Sequence, residues 1–204
     1  MMPQRFPEER VKQDMAGAAV LEPDAKLMLR VREGDRTSFE LLLERHRSPV
    51  IHYLYRMVQD QAVAEELAQD VFLRVYRARA TYEPTAKFTT WLFRIATNLA
   101  WNWSRDRKHE KTQESLDADY GKAREAADRT PTIEERLLQE TRMNEVRRAI
   151  RSLPEKQRAA VVMHKYQEMD YAQVARVLQC SESAVKSLLF RAYETLRARL
   201  AHMA

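Results

Sequence analysis

Three tryptophans fall within thirteen residues of one another, Trp91, Trp101 and Trp103, interleaved with Arg94, Asn98, Asn102 and Arg105. Flat rings beside guanidinium and amide groups suit one chemistry above others. Unstacked nucleobases lie on aromatic faces while cations hold the phosphates. At helical period the segment has two sides. Leu92, Ile95, Ala96, Leu99 and Trp103 follow the i, i+3, i+4, i+7 rule of a core-facing stripe. Trp91, Arg94, Asn98, Trp101, Asn102 and Arg105 fall on the other. A single tryptophan is most often ordinary core. Three cannot all turn inward from one helix, so at least one is exposed or sits in an interface. The spacing predicts a DNA-handling helix that deals with separated strands.

A second constellation lies in 170–199 and reads as a short helix, a tight turn and a longer helix. Val174, Ala175 and Leu178 give the first helix its core side, Gln179-Cys180 makes the turn, and Ser181 is placed to cap the second helix. Val185, Leu188, Ala192 and Leu196 then face inward, leaving Ser183, Lys186, Ser187, Phe190 and Arg191 outward near the helix start. A recognition helix presents side chains to base edges in the major groove from that position. Lys or Arg would bond guanine there, and Phe190 would meet a thymine methyl. The competing reading is a plain helical hairpin with a solvated charged face.

Other chemistries find little support. Cys180 is the only cysteine, which excludes an intramolecular disulfide and a cysteine-built zinc site, and its place in a tight turn favours a small packing role. The five histidines (His46, His52, His109, His164, His202) lack metal-ligand spacing. Glu65, Glu66 and Asp70 form a carboxylate cluster that reads as the wet or partner-facing side of a helix. Phosphate loops and nucleophile elbows are absent, so no catalytic, metal or cofactor site is expected.

The elements that must hold these residues read as helices. Only three glycines occur and no Asn-Gly or Asp-Gly dipeptide, so the hairpins of a sheet have no turns to use. The fold expected is all-α, two small helical domains joined by a flexible linker, with the helix-turn-helix in the second. Residues 1–23 read as a mobile tail and 24–108 as the first domain. Asp24 would cap a first helix, Thr37 or Ser38 a second, and Pro49 would start or kink the stretch after it. A third helix spans about Gln61 to Arg79, followed by a loop to Lys87 and the tryptophan helix. Residues 109–131 read as the linker and 132–204 as the second domain, with Thr132 capping its first helix. Leu153-Pro154-Glu155 separates two helices, with the proline in the first turn of the later one.

The net charge is +5 and the isoelectric point about 9.4, a bias toward polyanions that names none of them. Its distribution is more telling. Between Thr112 and Glu140 eight acids face four bases, so an acidic spacer parts two basic segments. With neither a signal-peptide-like apolar run nor a membrane-length one, the chain is expected to be cytoplasmic.

Four stretches in this order carry a family resemblance. They are Gly34-Asp-Arg-Thr-Ser-Phe39, the segment from Ala64 to Tyr76, Phe88 to Arg107, and Leu153-Pro-Glu-Lys-Gln-Arg158 with the helix-turn-helix through Arg191. From Asp24 to Leu200 the chain resembles the short bacterial sigma factors of the extracytoplasmic-function class. The resemblance implies a subunit that binds core RNA polymerase and directs promoter-specific initiation. It implies docking on the β′ clamp helices through Glu66, Gln69, Asp70, Phe72, Leu73 and Arg74. Recognition and opening of the minus-ten element would fall to Lys87, Trp91, Arg94, Asn98, Trp101, Asn102 and Arg105. Ser183, Lys186, Ser187, Phe190 and Arg191 would read the minus-thirty-five element, with the second domain touching the β flap. Most relatives are held inactive by an anti-sigma factor, which makes such a partner expected here. Family members often have Gly-Thr where this chain has Ser183-Ala184 and Arg where it has Leu188, so no relative's promoter sequence carries over. Two other classes compete: a dimeric helix-turn-helix repressor, which leaves the tryptophan helix without a role, and a nucleic-acid-processing enzyme, which lacks its constellation.

Overall fold

The computed structural model describes residues 22–111 and 133–203. Residues 1–21 of the expected tail (1–23), 112–131 of the expected linker (109–131) and the Thr132 cap lie outside them. Among the described residues every regular element is helical, as the glycine and turn content predicts. Helices α1 (Pro23–Arg32), α2 (Arg36–Val58) and α3 (Gln61–Arg77) lead through a 3-10 turn (Ala78–Thr81) to α4 (Phe88–Lys111). Helices α5 (Ile133–Arg151), α6 (Glu155–Tyr166), α7 (Tyr171–Leu178) and α8 (Glu182–Leu200) follow, with a final 3-10 turn (Ala201–Met203).

The helix starts differ from the expected ones in instructive ways. Helix α1 begins at Pro23, whose fixed φ suits a first helical position, with Glu22 as its N-cap. Asp24 is therefore no cap. Its carboxylate accepts from Arg45 at 2.6 Å and pairs with His46 Nε2 at 2.8 Å, tying α1 to α2. Helix α2 is capped by Asp35, not Thr37 or Ser38. The Ser38 amide and hydroxyl donate to the two Asp35 oxygens at 3.2 and 2.7 Å, which holds that carboxyl below its ordinary range. Gly34 supplies the positive φ of 99° that the preceding turn requires. Pro49 lies inside a continuous α2, so its ring costs one backbone bond there without ending the helix. Pro154 is the N-cap of α6, one position earlier than expected.

Leu42, Val50, Tyr53, Leu54, Val71, Val75, Phe88 and Leu92 are sealed from solvent in the first half. The buried side of α4 is rotated from the expected stripe. Phe93, Thr97 and Ala100 turn inward with Leu92, Ala96 and Leu99, whereas Ile95 and Trp103 are half-buried. Tyr53 accounts for the rotation. Its ring meets Phe93 edge-on at 5.1 Å and its hydroxyl bonds Thr97 Oγ1 at 2.7 Å. Thr97 donates its one hydroxyl proton to the Phe93 carbonyl at 2.6 Å, so Tyr53 is the donor in the pair. Burial pushes the Tyr53 phenol far above its ordinary value and keeps that donor protonated.

In the second half α6 is buried from Ala159 to Met163 between its neighbours. The two halves touch: α2 packs against α6, and α4 against α7.

Candidate nucleic-acid interface

Helix α4 starts where Glu22 Oε2 accepts from the Phe88 amide at 2.9 Å, filling one of the donors a helix start leaves open. Along it, Arg94, Asn98, Trp101 and Arg105 recur every three or four residues and share one side. Lys87, Arg94, Asn98, Asn102 and Arg105 are exposed. Trp101 is half-buried, and its indole N–H is shut from solvent with no acceptor. Trp91 is half-buried in an aromatic cluster, 4.9 Å from the Tyr82 ring and 5.9 Å from Phe88, so packing fixes its plane. Tyr82 itself is buried, which together with Glu22 and Asp24 pushes its phenol up to about 12. Trp103 lies on the opposite side with Arg107 stacked over its ring at 5.0 Å. The expected face is thus brought together, with Trp101 as its central ring and Trp91 at its edge.

On α3, Glu66, Gln69, Asp70, Leu73 and Arg74 repeat at helical spacing and are all exposed. Leu73 is 44 % exposed, an apolar side chain left without cover, while Phe72 is 5 % exposed. Phe72 therefore supports the helix from the core side and offers no contact surface, a correction to its expected docking role.

The helix-turn-helix forms at the expected residues. Asp170 and Gln173 make a reciprocal capping box that starts α7, and Gln179 ends it in the left-handed region at φ 53°. Ser181 caps α8 by accepting from the Ala184 amide at 3.2 Å. Val185, Leu189 and Ala192 are buried, so Leu189 takes the central place expected of Leu188, which is half-buried. Ser183, Lys186, Ser187, Phe190 and Arg191 are all exposed, Phe190 at 68 %. Sequence reasoning missed one cation here. Lys156, from the start of α6, lines the same crevice as Ser183, Ser187 and Arg191. Its signal was its place in the Leu153–Arg158 stretch, which carries the family resemblance and the break between helices but was given no contact role.

A ring-and-cation face on α4, an exposed side at the start of the second helix of a helix-turn-helix and an exposed side of α3 now stand together. The sigma-70 region 2 family model matches residues 42–110, and the sigma-70 region 4 model matches 143–196. The RNA polymerase sigma-H factor of Pseudomonas aeruginosa is 31 % identical over 178 residues, which are 86 % of this chain and 92 % of that protein. The chain belongs to the extracytoplasmic-function sigma factors of the sigma-70 family. The ECF RNA polymerase sigma-E factor of Escherichia coli is 30 % identical over 176 residues, 85 % of this chain and 92 % of that one. Two solved structures share the fold at 20 % identity. CnrH in complex with the cytosolic domain of CnrY has a TM-score of 0.68 over 90 % of this chain and all of that one. RpoE of Bartonella quintana in complex with the anti-sigma factor NepR has a TM-score of 0.66 over 80 % and 96 %. As a sigma factor, the protein binds core RNA polymerase and promoter DNA and directs promoter-specific transcription initiation. No described helix is long and apolar enough to cross a membrane.

Proposed function

We propose a division of this work between two domains, 24–108 for core binding and the minus-ten element and 132–204 for the minus-thirty-five element, with 109–131 as the linker. The single observation that carries it is the separation of two nucleic-acid faces of different chemistry. The α4 side offers a ring and amides, which suit a base already out of the stack. The α8 side offers cations and a phenyl ring at a helix start, which suit duplex edges in a major groove. A repressor needs only the second.

Trp101 and Asn98 then hold the opened strand, with Lys87, Arg94, Asn102 and Arg105 toward its phosphates and Trp91 bordering the site. Lys186, Arg191 and Phe190 read the minus-thirty-five groove, and Ser183, Ser187 and Lys156 anchor its backbone. Glu66, Gln69, Asp70, Leu73 and Arg74 dock on the β′ clamp helices, while the second domain meets the β flap. The protein acts in the cytoplasm as a recognition subunit, leaving bond chemistry to the polymerase. Two fold neighbours are described with CnrY and with NepR, which supports an anti-sigma partner for this chain as well. Run-off transcription with core polymerase on the DNA upstream of the protein's own gene tests the assignment. Initiation from one start site that depends on this protein is expected. Duplex binding without any gain of initiation would sink it in favour of a repressor.

A further inference from the structure

Lysine is by nature an imprecise reader of a single base. Its stem is flexible and its ammonium is a compact point charge without a fixed fork of donors. Lys186 has surroundings that correct this. Its Nζ lies 5.9 Å from the centre of the Tyr171 ring, which reaches it from the first residue of α7. Among the described residues Lys186 joins no ion pair, even with Glu182 one turn earlier. A ring face attracts a cation within about 6 Å. Such an attraction engages the charge and leaves the three N–H donors for other partners.

The ring is itself held. His164 of α6 lies against it, with ring centres 5.2 Å apart. Nδ1 of His164 meets the Met169 carbonyl at 2.9 Å, and since a carbonyl only accepts, Nδ1 carries the proton and the imidazole plane is fixed. The Met169 amide donates back to the Met163 carbonyl of α6 at 3.2 Å. Asp170 then exchanges bonds of 2.8 and 2.9 Å with Gln173 in the capping box. Tyr171 therefore follows a turn tied down on both sides. Tyr193 of α8 lies close enough that its phenol is pushed up, first by burial and then by Tyr171. Lys186 and Tyr193 are two turns apart on α8, so the Tyr171 ring sits against that flank while remaining 36 % exposed.

We propose that Tyr171 is a positioning residue: its anchored ring aims the Lys186 ammonium at one base edge and makes Lys186 a guanine reader in the minus-thirty-five groove. This inference rests on the DNA-reading role given to the start of α8. Guanine is the base because its O6 and N7 both accept in the major groove, and an ammonium only donates. A long side chain loses rotamer freedom when it binds, and one already steered loses less. Exposed cation–ring contacts are worth about two- to fivefold in an equilibrium constant. Tyr171 thus acts through Lys186 and touches no base itself.

The test uses holoenzyme assembled from core polymerase and the full chain. The templates are the promoter found by run-off transcription and its single-base-pair changes across the minus-thirty-five element. Competition binding gives, at each position, the preference for the native pair over its replacements. Lys186→Ala should abolish the preference at one G·C pair, which marks the pair it reads. Tyr171→Leu should lower the preference at that same pair about threefold and leave the other positions unchanged. Tyr171→Phe retains the ring and should retain the full preference. Adding Tyr171→Leu to Lys186→Ala should relax nothing further, because the ring then has no cation to aim. A circular-dichroism melt accompanies each variant, and Tyr171→Gln is the second ringless variant. Wild-type preference in a folded ringless variant would overturn the proposal. So would a loss spread evenly over all positions, which marks a phosphate contact. A Tyr171→Phe as relaxed as Tyr171→Leu would also overturn it, by putting the phenol hydroxyl on the DNA. If Lys186→Ala left every position unchanged, the reading role of Lys186 would fall, and this inference with it.

Discussion

Thr97 and Tyr53 show how much one residue's surroundings decide. Thr97→Val leaves the buried Tyr53 hydroxyl with no acceptor, a loss of about 1–3 kcal/mol. Tyr53→Phe removes the donor but leaves Thr97 bonded to the Phe93 carbonyl, so about 0.5–1.5 kcal/mol is expected. Chemical denaturation of both variants checks the order; a costlier Tyr53→Phe would mean the donor has been assigned backwards. On the DNA side, Trp101→Ala and Asn98→Ala should bind core polymerase normally and fail at promoter opening. Losing one stacking platform costs about 1–3 kcal/mol, or roughly five- to a hundredfold in open complex. Permanganate footprints on intact and premelted templates read this directly, and normal footprints from both variants would reduce the side chains to structure. The sequence placed Trp91 and Trp101 on the polar side of α4 and Trp103 on its core side, whereas the structure leaves all three half-buried. Which ring of a helix is free depends on which neighbours arrive, and Tyr82 and Phe88 reach Trp91 only in the folded chain.

At the scale of elements, α3 offers the cleanest contrast. Asp70→Ala with Leu73→Ala alters two exposed neighbours and should weaken capture by core polymerase without moving the melting curve. Phe72→Ala should do the reverse, costing about 3–5 kcal/mol of stability because that ring is core. A pull-down beside a circular-dichroism melt separates the two effects, and full capture by the folded double variant would remove α3 from the docking surface. For α8, Lys186→Ala and Arg191→Ala should each weaken use of intact promoters more than of premelted ones. A base contact relaxes preference at one position and costs about 1–3 kcal/mol, whereas a phosphate contact weakens all sequences alike. Wild-type activity of both on intact promoters would retire this reader. Helix periodicity made α3, α4, α7 and α8 legible, since each buries a stripe against neighbours. Caps were less legible. Asp24, Asp35, Thr37 and Ser38 are all competent capping types, and only the positive φ at Gly34 and the ties from Arg45 and His46 decide among them.

The whole molecule adds what no segment shows alone. Of its exposed cations, only Lys156, Lys186 and Arg191 lie at the face proposed to read duplex DNA, so duplex binding by the free protein should respond to salt modestly. About three phosphate contacts give a log–log slope of roughly −3, and Lys156→Ala should bring it nearer −2. Anisotropy titrations across a salt series measure this; a slope near −6 would mean that α4 is engaged as well. Basic composition foretold an attraction to polyanions but not which face would meet them, because charge counts carry no directions. The joint between halves was illegible for a related reason. Arg158 grips the main-chain oxygen of Met57 across the joint and those of Arg151 and Leu153 on its own side, so this tie needs no particular side chain at any of the three. Substitutions drifting through those three positions therefore leave the acceptors where they are. A chimaera carrying another relative's first half should therefore keep the Arg158 tie, provided its chain turns as this one does at Gln59, with a left-handed residue ending the helix.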